Sequence, residues 1–262
     1  MNPTVAVVFI VLMAVLVSLI GLVLVRRLAP TDQLAQHTDV AGYVYAVIGV
    51  IYAVVLALVV IAAWDEYRDA REAVDNEATA VLNLARAANG WPASDRDKVE
   101  TALAAYARQV VDVEWPAMAR GDFGPTADTV SVNQLWQVLN EADETAASKS
   151  ASYEIALQQL ADLGEARRNR MLLGQEGLPM SMAVILIIGA VVTVGFTYLF
   201  AVANGLLHAL MIASLAVLVT LLLLLQFQLG MPFQGISAIE PTAMQLVLAE
   251  IDSDAGIPGM KP

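Results

Sequence analysis

Residues 42–63 read GYVYAVIGVIYAVVLALVVIAA, and residues 64–89 continue them as WDEYRDAREAVDNEATAVLNLARAAN. The first stretch has no charged side chain, and at 1.5 Å per residue it spans the roughly 30 Å hydrocarbon core of a bilayer. The second stretch contains neither Pro nor Gly, so nothing in it interrupts a helix. The sequence therefore predicts one nearly continuous helix over residues 43–89, about 70 Å long, that leaves the membrane near Trp64.

Three further uncharged segments are long enough to cross a membrane, namely residues 4–25, 180–203 and 206–229. The last two are separated only by Ala203-Asn204-Gly205, which predicts a tight helical hairpin. Between the second and third segments, residues 64–177 hold 20 of the 26 acidic and 11 of the 14 basic side chains. We therefore predict an all-α membrane protein with four transmembrane helices, arranged 2 + 2, and a helical, acidic extramembrane domain between helices 2 and 3.

The extramembrane segments divide at turn-forming residues. Helices are predicted near residues 95–115, 131–146, 149–172 and 241–251, and Pro116 with residues 121–125 is predicted to form a loop. The expected organisation has four parts: residues 1–63 with transmembrane helices 1 and 2, 64–177 with the acidic domain, 178–230 with transmembrane helices 3 and 4, and 231–262 with a Pro-Phe-Gln-Gly turn, a short helix and a tail.

Composition argues against several classes of function. The net charge of −12 disfavours nucleic acid as a partner, because phosphate binding needs clustered Lys and Arg. The chain has no Cys, no Gly-rich phosphate loop, no metal-ligand spacing and no combinable Ser/His/Asp set. We therefore expect no catalytic residues, no metal site and no cofactor. Because His208 is the only ionisable side chain within a span, proton-coupled transport is also disfavoured.

Small side chains mark one face of the second span. They recur at helical spacing and allow helices to approach closely in lipid: Gly42, Ala46, Gly49, Ala53 and Ala57. The same face continues beyond the membrane: Trp64, Tyr67, Val74, Ala78, Val81 and Ala85. The sequence thus predicts a single packing face along the long helix.

A second stripe on this helix is apolar inside the membrane: Val47, Ile51, Val54, Leu58 and Ile61. Outside the membrane it becomes mainly acidic: Asp65, Arg68, Glu72 and Asp75. One interpretation is a pore helix, with a hydrophobic constriction that gates by dewetting and an acidic vestibule. The other is that the branched side chains simply face lipid. The stripe by itself leaves both interpretations open.

The stretch 54–75, VVLALVVIAAWDEYRDAREAVD, is followed by Tyr106, by Glu114-Trp115-Pro116 and by Pro232-Phe233-Gln234-Gly235. This arrangement, which covers nearly the whole chain, resembles a family of bacterial bestrophin-like membrane proteins. Bestrophins are pentameric ion channels whose second transmembrane helix lines a hydrophobic neck. The resemblance implies that Val54, Leu58 and Ile61 are neck candidates. It does not carry over calcium gating, because the sequence has no match for the bestrophin calcium clasp.

Other motifs allow two interpretations each. Trp115 is expected to be a buried ring at a helix end, and Glu114 either pairs with an Arg or binds a cation together with Asp112. The Pro232–Gly235 motif is expected to be a turn that tucks the tail against the domain, or else a lid. Three basic residues precede the third span and are expected to contact lipid headgroups or nearby acids: Arg167, Arg168 and Arg170.

Two hypotheses of function follow. The first is a homo-oligomeric, passive channel for inorganic ions, pentameric by analogy and selective for cations because of its acidic stripe. The second is a non-conducting scaffold or sensor whose domain binds a partner protein. Five Arg flank spans two and three on the domain side, against Arg26 and Arg27 on the other side. The positive-inside rule therefore predicts a multi-pass protein of the bacterial inner membrane, with both termini and the domain in the cytoplasm.

Overall fold

The long helix predicted from the sequence is the longest element of the fold. The computed structural model describes residues 3–28, 38–124, 129–143, 151–175 and 177–255. Helix α1 is Pro3–Leu28, and helix α2 is Thr38–Ala88, which at 51 residues is about 75 Å long. Asn89 lies in the turn that follows. The prediction of an unbroken helix through Trp64 is therefore confirmed.

Four helices of the described residues are long and apolar enough to cross a membrane: Thr4–Leu28, Val40–Ala88, Met180–Leu199 and Gly205–Leu229. The third of these consists of an α-helix, Met180–Phe196, and a 3₁₀ turn, Thr197–Leu199. The predicted third span, residues 180–203, therefore extends four residues beyond the observed helix, which ends at Leu199. Phe200 is extended (φ −79°, ψ 130°), and Asn204 caps the next helix by accepting hydrogen bonds from the backbone N–H groups of Leu206 and Leu207.

The extramembrane helices follow in order along the chain: α3 Ala93–Gln109, α4 Trp115–Ala119, α5 Thr129–Asp143 and α6 Ala151–Gln175. The membrane helices after them are α7, Met180–Phe196, and α8, Gly205–Leu229, and α9 is Thr242–Ala255. Parts of the predicted helices, residues 144–146 and 149–150, lie outside the described residues, as does Pro125 of the predicted loop.

The predicted loop at Pro116 is wrong. A single π-helical turn, Val110–Glu114, joins α3 to α4, and Pro116 lies in the first turn of α4. The N–H of Trp115 donates to the carbonyl of Val110, five residues back. Because the wider π turn shifts the bonding pattern and Pro has no N–H to satisfy, the chain stays helical through the proline.

The described chain forms two compact units. The described residues within 1–65 and 178–230 form the membrane unit, and those within 66–177 and 231–262 form the extramembrane unit. Two small apolar clusters hold the membrane unit, one around Leu22 and Ile212 and the other around Leu56 and Leu186. The extramembrane unit has one large core, to which residues 231–255 contribute Phe233, Ile239, Met244, Val247 and Ile251.

Candidate functional site

The predicted neck residues lie on the side of α2 opposite its packing contacts within the chain. The buried side of the membrane part consists of Leu56, Val59 and Ala63, which are 5%, 7% and 3% exposed. At 100° per residue, Leu58 and Val54 point about 160° away from Leu56. Five side chains of this stripe are 54–63% exposed: Val47, Ile51, Val54, Leu58 and Ile61. Within one chain, this face is therefore bare.

The acidic continuation of the stripe is also on the surface. Asp65, Glu72 and Asp75 are exposed, and so is Arg68, whose guanidinium lies 3.9 Å from the carboxylate of Asp69. Both members of that pair are largely in solvent, so the contact contributes little to stability. The helix thus presents an apolar surface along its membrane part and an acidic surface beyond it, in the same rotational phase.

The small residues predicted as a packing face have little contact within the chain. A Cβ at Gly49 would meet no atom of the described residues within 4 Å, and one at Gly42 would just reach Phe200 at 4.0 Å. Ala46, Ala53 and Ala57 are exposed. Within the membrane unit, α2 packs on its own chain through Tyr52, Leu56 and Val59, so the packing role of the small face remains a prediction.

The two short motifs of the sequence meet in the extramembrane unit. The ring of Phe233 packs edge-on against that of Trp115, with centroids 5.6 Å apart. The indole N–H of Trp115 donates to the carbonyl of Ile239 at 3.0 Å, and the N–H of Ile239 donates to the carbonyl of Pro232 at 2.8 Å. Gly235 has φ +82°, which L-residues with side chains rarely adopt, so the turn depends on glycine there. The motifs therefore hold each other in place.

A buried network of charges lies beside these motifs. Arg170, fully buried, donates from Nε to Glu77 Oε2 at 2.5 Å and from Nη2 to Glu77 Oε1 at 3.0 Å and Glu114 Oε2 at 2.6 Å. Arg167 donates to the other oxygen of Glu114 at 3.0 Å, and the hydroxyl of Tyr106 donates to Glu77 Oε1 at 2.5 Å. The two acids and two guanidinium groups balance in charge, which a buried ionic cluster requires.

This network shows whether Glu114 and the arginines before the third span pair with each other. Arg167 and Arg170 pair with acids, whereas Arg168 is exposed. Both carboxylate oxygens of Glu114 are engaged by arginines and Asp112 is exposed, so the pair does not form a cation site. The guanidinium of Arg170 also lies 5.3 Å from the ring centroid of Trp115, close enough for a cation–π contact.

The network shifts the ionisation of its members. Burial disfavours the ionised form of Glu114, but attraction to Arg170 and Arg167 outweighs it and lowers the pKa of this carboxyl. Burial also disfavours the charged form of Arg170, and the carboxylates of Glu77 and Glu114 overcome it and raise its pKa. Burial, together with the charge of Glu77, raises the pKa of Tyr106 well above its ordinary value. At neutral pH, Glu114 and Arg170 are therefore ionised and Tyr106 is uncharged.

Sequence reasoning missed Glu77. A signal was present, because this acid lies three residues after Val74 and four before Val81, on the apolar face of α2. A lone acid in such a position is either strained or paired. Its partner Arg170 is 93 residues away in sequence, and no local pattern connects the two.

The family model for the bestrophin-like domain matches residues 12–244, most of the chain. The chain belongs to the bestrophin-like family. Among solved structures, a bacterial bestrophin homolog from Klebsiella pneumoniae is similar with a TM-score of 0.73 and 14% identity, covering 96% of this chain and 99% of that chain. A membrane protein variant is similar with a TM-score of 0.75 and 16% identity, covering 97% and 100%.

At these identities, the structural likeness shows the fold of the bestrophin-like chain and nothing finer. No curated protein matches the bestrophin-like chain. The fold, the four membrane-spanning helices and the long helix α2 agree with the family that the sequence motifs indicated.

Proposed function

We propose that this chain is a subunit of a homo-oligomeric, passive ion channel, and that α2 lines the pathway. The observation that carries the proposal is the bare face of α2, which is apolar from Val47 to Ile61 and acidic from Asp65 to Asp75 on one unbroken helix. The bestrophin-like fold adds support, since bestrophins are channels built around this helix. Pentameric assembly is proposed by analogy with the family.

The proposed neck consists of Val54, Leu58 and Ile61. When a symmetric assembly brings their branched side chains around an axis, they form rings without a charge or a hydrogen-bonding group. Water leaves a narrow ring of this kind readily, so it acts as a barrier to ions without any moving plug. A neck of this composition holds ions back through their hydration cost and does not select by charge.

Charge selection is proposed to lie outside the neck. Asp65, Glu72 and Asp75 outnumber Arg68 on the stripe, and symmetry multiplies each of them into a ring. Rings of Asp and Glu raise the local concentration of cations and repel anions. Salt screens such fields within about 8–10 Å, so only acids that line the pathway count. The proposed channel therefore prefers cations.

The proposed location is the bacterial inner membrane, with both termini and the extramembrane unit in the cytoplasm. Arg68, Arg71 and Arg168 are exposed beside the ends of the spans on that side. Arg27 is exposed on the other side, whereas Arg26 is partly buried. By the positive-inside rule, this excess of exposed arginines favours a cytoplasmic location for the extramembrane unit.

The test is ion flux in liposomes that contain the purified full-length chain. Leu58→Ser puts a hydroxyl in the neck and is expected to raise flux severalfold, because a hydrated ring no longer excludes ions. Leu12→Ser on α1 is the matched control: Leu12 is 62% exposed and Leu58 63%, but only Leu58 belongs to the stripe. Flux through the control is expected to equal that of the natural protein.

Two outcomes would contradict the proposal. Absence of flux with both the natural protein and Leu58→Ser would favour the alternative, a non-conducting scaffold or sensor whose domain binds a partner protein. Equal flux with Leu58→Ser, Leu12→Ser and the natural protein would place the Val47–Ile61 stripe against lipid, away from any pathway.

A further inference from the structure

The hairpin between α7 and α8 holds a cation that no described acid neutralises. The Nη2 atom of Arg26, near the end of α1, lies 2.8 Å from the carbonyl oxygen of Val202 and 3.0 Å from Nδ1 of His208. The Nε atom of Arg26 is buried and has no hydrogen-bond partner within the described chain. The salt bridges of the described residues do not include Arg26.

Hydrogen bonding assigns the roles of the two ring nitrogens of His208. A guanidinium can only donate, so Nδ1 of His208 accepts the hydrogen bond from Arg26. The other ring nitrogen, Nε2, lies 3.0 Å from the carbonyl oxygen of Thr197 and therefore donates. His208 is 2% exposed. It positions Arg26 through this hydrogen bond, and an imidazole has no negative charge that could balance the guanidinium.

The guanidinium also lies at the positive end of a helix. A Cβ at Gly205, the first residue of α8, would come within 2.8 Å of Nη1 of Arg26. Glycine therefore allows the cation to approach the first turn of α8. Cations are unfavourable at a helix N-terminus because the backbone dipole is positive there. Two positive features thus adjoin, and an anion that contacted the outer edge of Arg26 would be attracted by both.

An apolar pocket of about 360 Å³ opens beside this cation within the membrane unit. Val202 and His208, which contact Arg26, form part of its wall. The remaining lining is mainly apolar or aromatic: Tyr45, Phe200, Met211, Ile212 and Leu215. The volume falls in the range of roughly 300–1,000 Å³ that is typical of ligand pockets.

We propose that this pocket binds a lipid with an anionic phosphate headgroup, which contacts Arg26 while an acyl chain fills the apolar part. Charge complementarity supports the headgroup, because phosphate accepts charge-assisted hydrogen bonds from guanidinium. The mainly apolar lining supports the acyl chain. A small free anion would use Arg26 but would leave the apolar part of the pocket unfilled.

The experiment measures lipid binding to the full-length chain, purified in a neutral detergent, by native mass spectrometry. The probes are dioleoyl phosphatidylglycerol and dioleoyl phosphatidylcholine, with inorganic phosphate as a third arm. Arg26→Gln is expected to weaken phosphatidylglycerol binding about tenfold, which corresponds to 1.4 kcal/mol. The matched control is Arg27→Gln, since Arg27 is the exposed neighbour, and it is expected to retain binding within about twofold of the natural protein.

A second pair of variants tests the apolar part without touching Arg26. Met211→Trp fills the pocket and is expected to weaken phosphatidylglycerol binding about tenfold. Leu210→Trp, on the adjacent exposed residue outside the lining, is expected to leave phosphatidylglycerol binding unchanged. This pair remains informative if Arg26→Gln does not fold.

Three results would overturn the proposal. The first is equal binding of the two lipids to the natural protein. The second is an equal loss of phosphatidylglycerol binding in a pocket variant and in its matched control. The third is displacement of phosphatidylglycerol by inorganic phosphate at equal concentration, which would show a site for free anions. None of these results depends on whether the chain conducts ions.

Discussion

The two halves of α2 differ in how much of their surface the chain itself covers. In the membrane half, residues 40–63, only three of 24 side chains are buried. In the outer half, residues 66–88, nine of 23 are buried, including the charged Glu77. The same helix is therefore almost bare in one unit and tightly packed in the other.

The difference follows from the solvent around each half. Water penalises exposed apolar surface, so the outer half must bury its apolar face and pair Glu77 inside its own unit. Lipid tails are as apolar as leucine, so the membrane half gains little by covering Val, Ile and Leu within the chain. A bare apolar face in the membrane is stable as it is and is free for assembly.

The largest effect on stability is expected from a substitution that breaks the charge network of the packed outer half of α2. Arg170→Met leaves Glu77 buried without its guanidinium partner, and it is expected to destabilise the protein by about 3–5 kcal/mol. The measurement is the urea unfolding midpoint of the detergent-solubilised chain, followed by tryptophan fluorescence. Arg168→Met, on an exposed neighbouring arginine, is the control and is expected to cost less than about 0.5 kcal/mol. Equal midpoints for the two variants would show that the network contributes nothing.

The next largest effect is the change with pH in the stability that the network around Glu114 provides. Because the pKa of Glu114 is lowered in the folded state, the unfolded state binds more protons in this range, and stability rises with pH there. The contribution of Glu114 is complete above its ordinary pKa of 4.5 and is lost as the pH falls through the folded value. Glu114→Gln is expected to cost about 1.5–3 kcal/mol at pH 7.

The measurement for this prediction is urea unfolding at pH 7 and at several values below 4.5. The stability of Glu114→Gln should approach that of the natural protein as the pH falls, since both then have an uncharged group at position 114. A constant difference across the series would mean that Glu114 does not titrate with folding.

A smaller difference in stability is expected between substitutions on the two sides of the membrane half of α2. Leu56→Ala removes a buried side chain and is expected to cost about 1 kcal/mol, less than the 2–5 kcal/mol typical of cores in water, because only packing is lost in lipid. Leu58→Ala, on the bare side, is expected to change the stability of the isolated subunit by less than about 0.5 kcal/mol. Titration with sodium dodecyl sulfate in mixed micelles measures both, and a reversed order would disprove the assignment of faces.

The smallest effect concerns the acids just beyond the membrane. Asp65→Asn with Glu72→Gln is expected to shift the reversal potential of the proposed channel by a few millivolts towards lower cation preference, more at low salt, because screening weakens surface charges. Asp97→Asn with Glu154→Gln removes two exposed acids elsewhere and serves as the control. Identical shifts for both pairs would show that the acids of α2 do not line a pathway.

The sequence was most informative about the membrane spans and the length of α2. A charge-free run of more than about 18 residues leaves a chain in lipid little choice but a helix, since every backbone group must be satisfied internally. It was less informative about how α2 packs. The packing role of the small-residue stripe from Gly42 to Ala53 stays a prediction. Within the chain α2 packs through Leu56 and Val59, because the approach of the neighbouring helices selects that side.

What the sequence determined by itself is therefore local: where charge is absent, where a helix continues, and which side chains share a face at a period of 3.6 residues. The tertiary structure alone decided which distant groups meet, as with Glu77 and Arg170, or Arg26 and His208. Such pairs carry no local signal, because their energy arises only after folding excludes water and brings charges together from separate helices. Helical periodicity needs a few turns of chain, whereas a buried ion pair needs the whole fold.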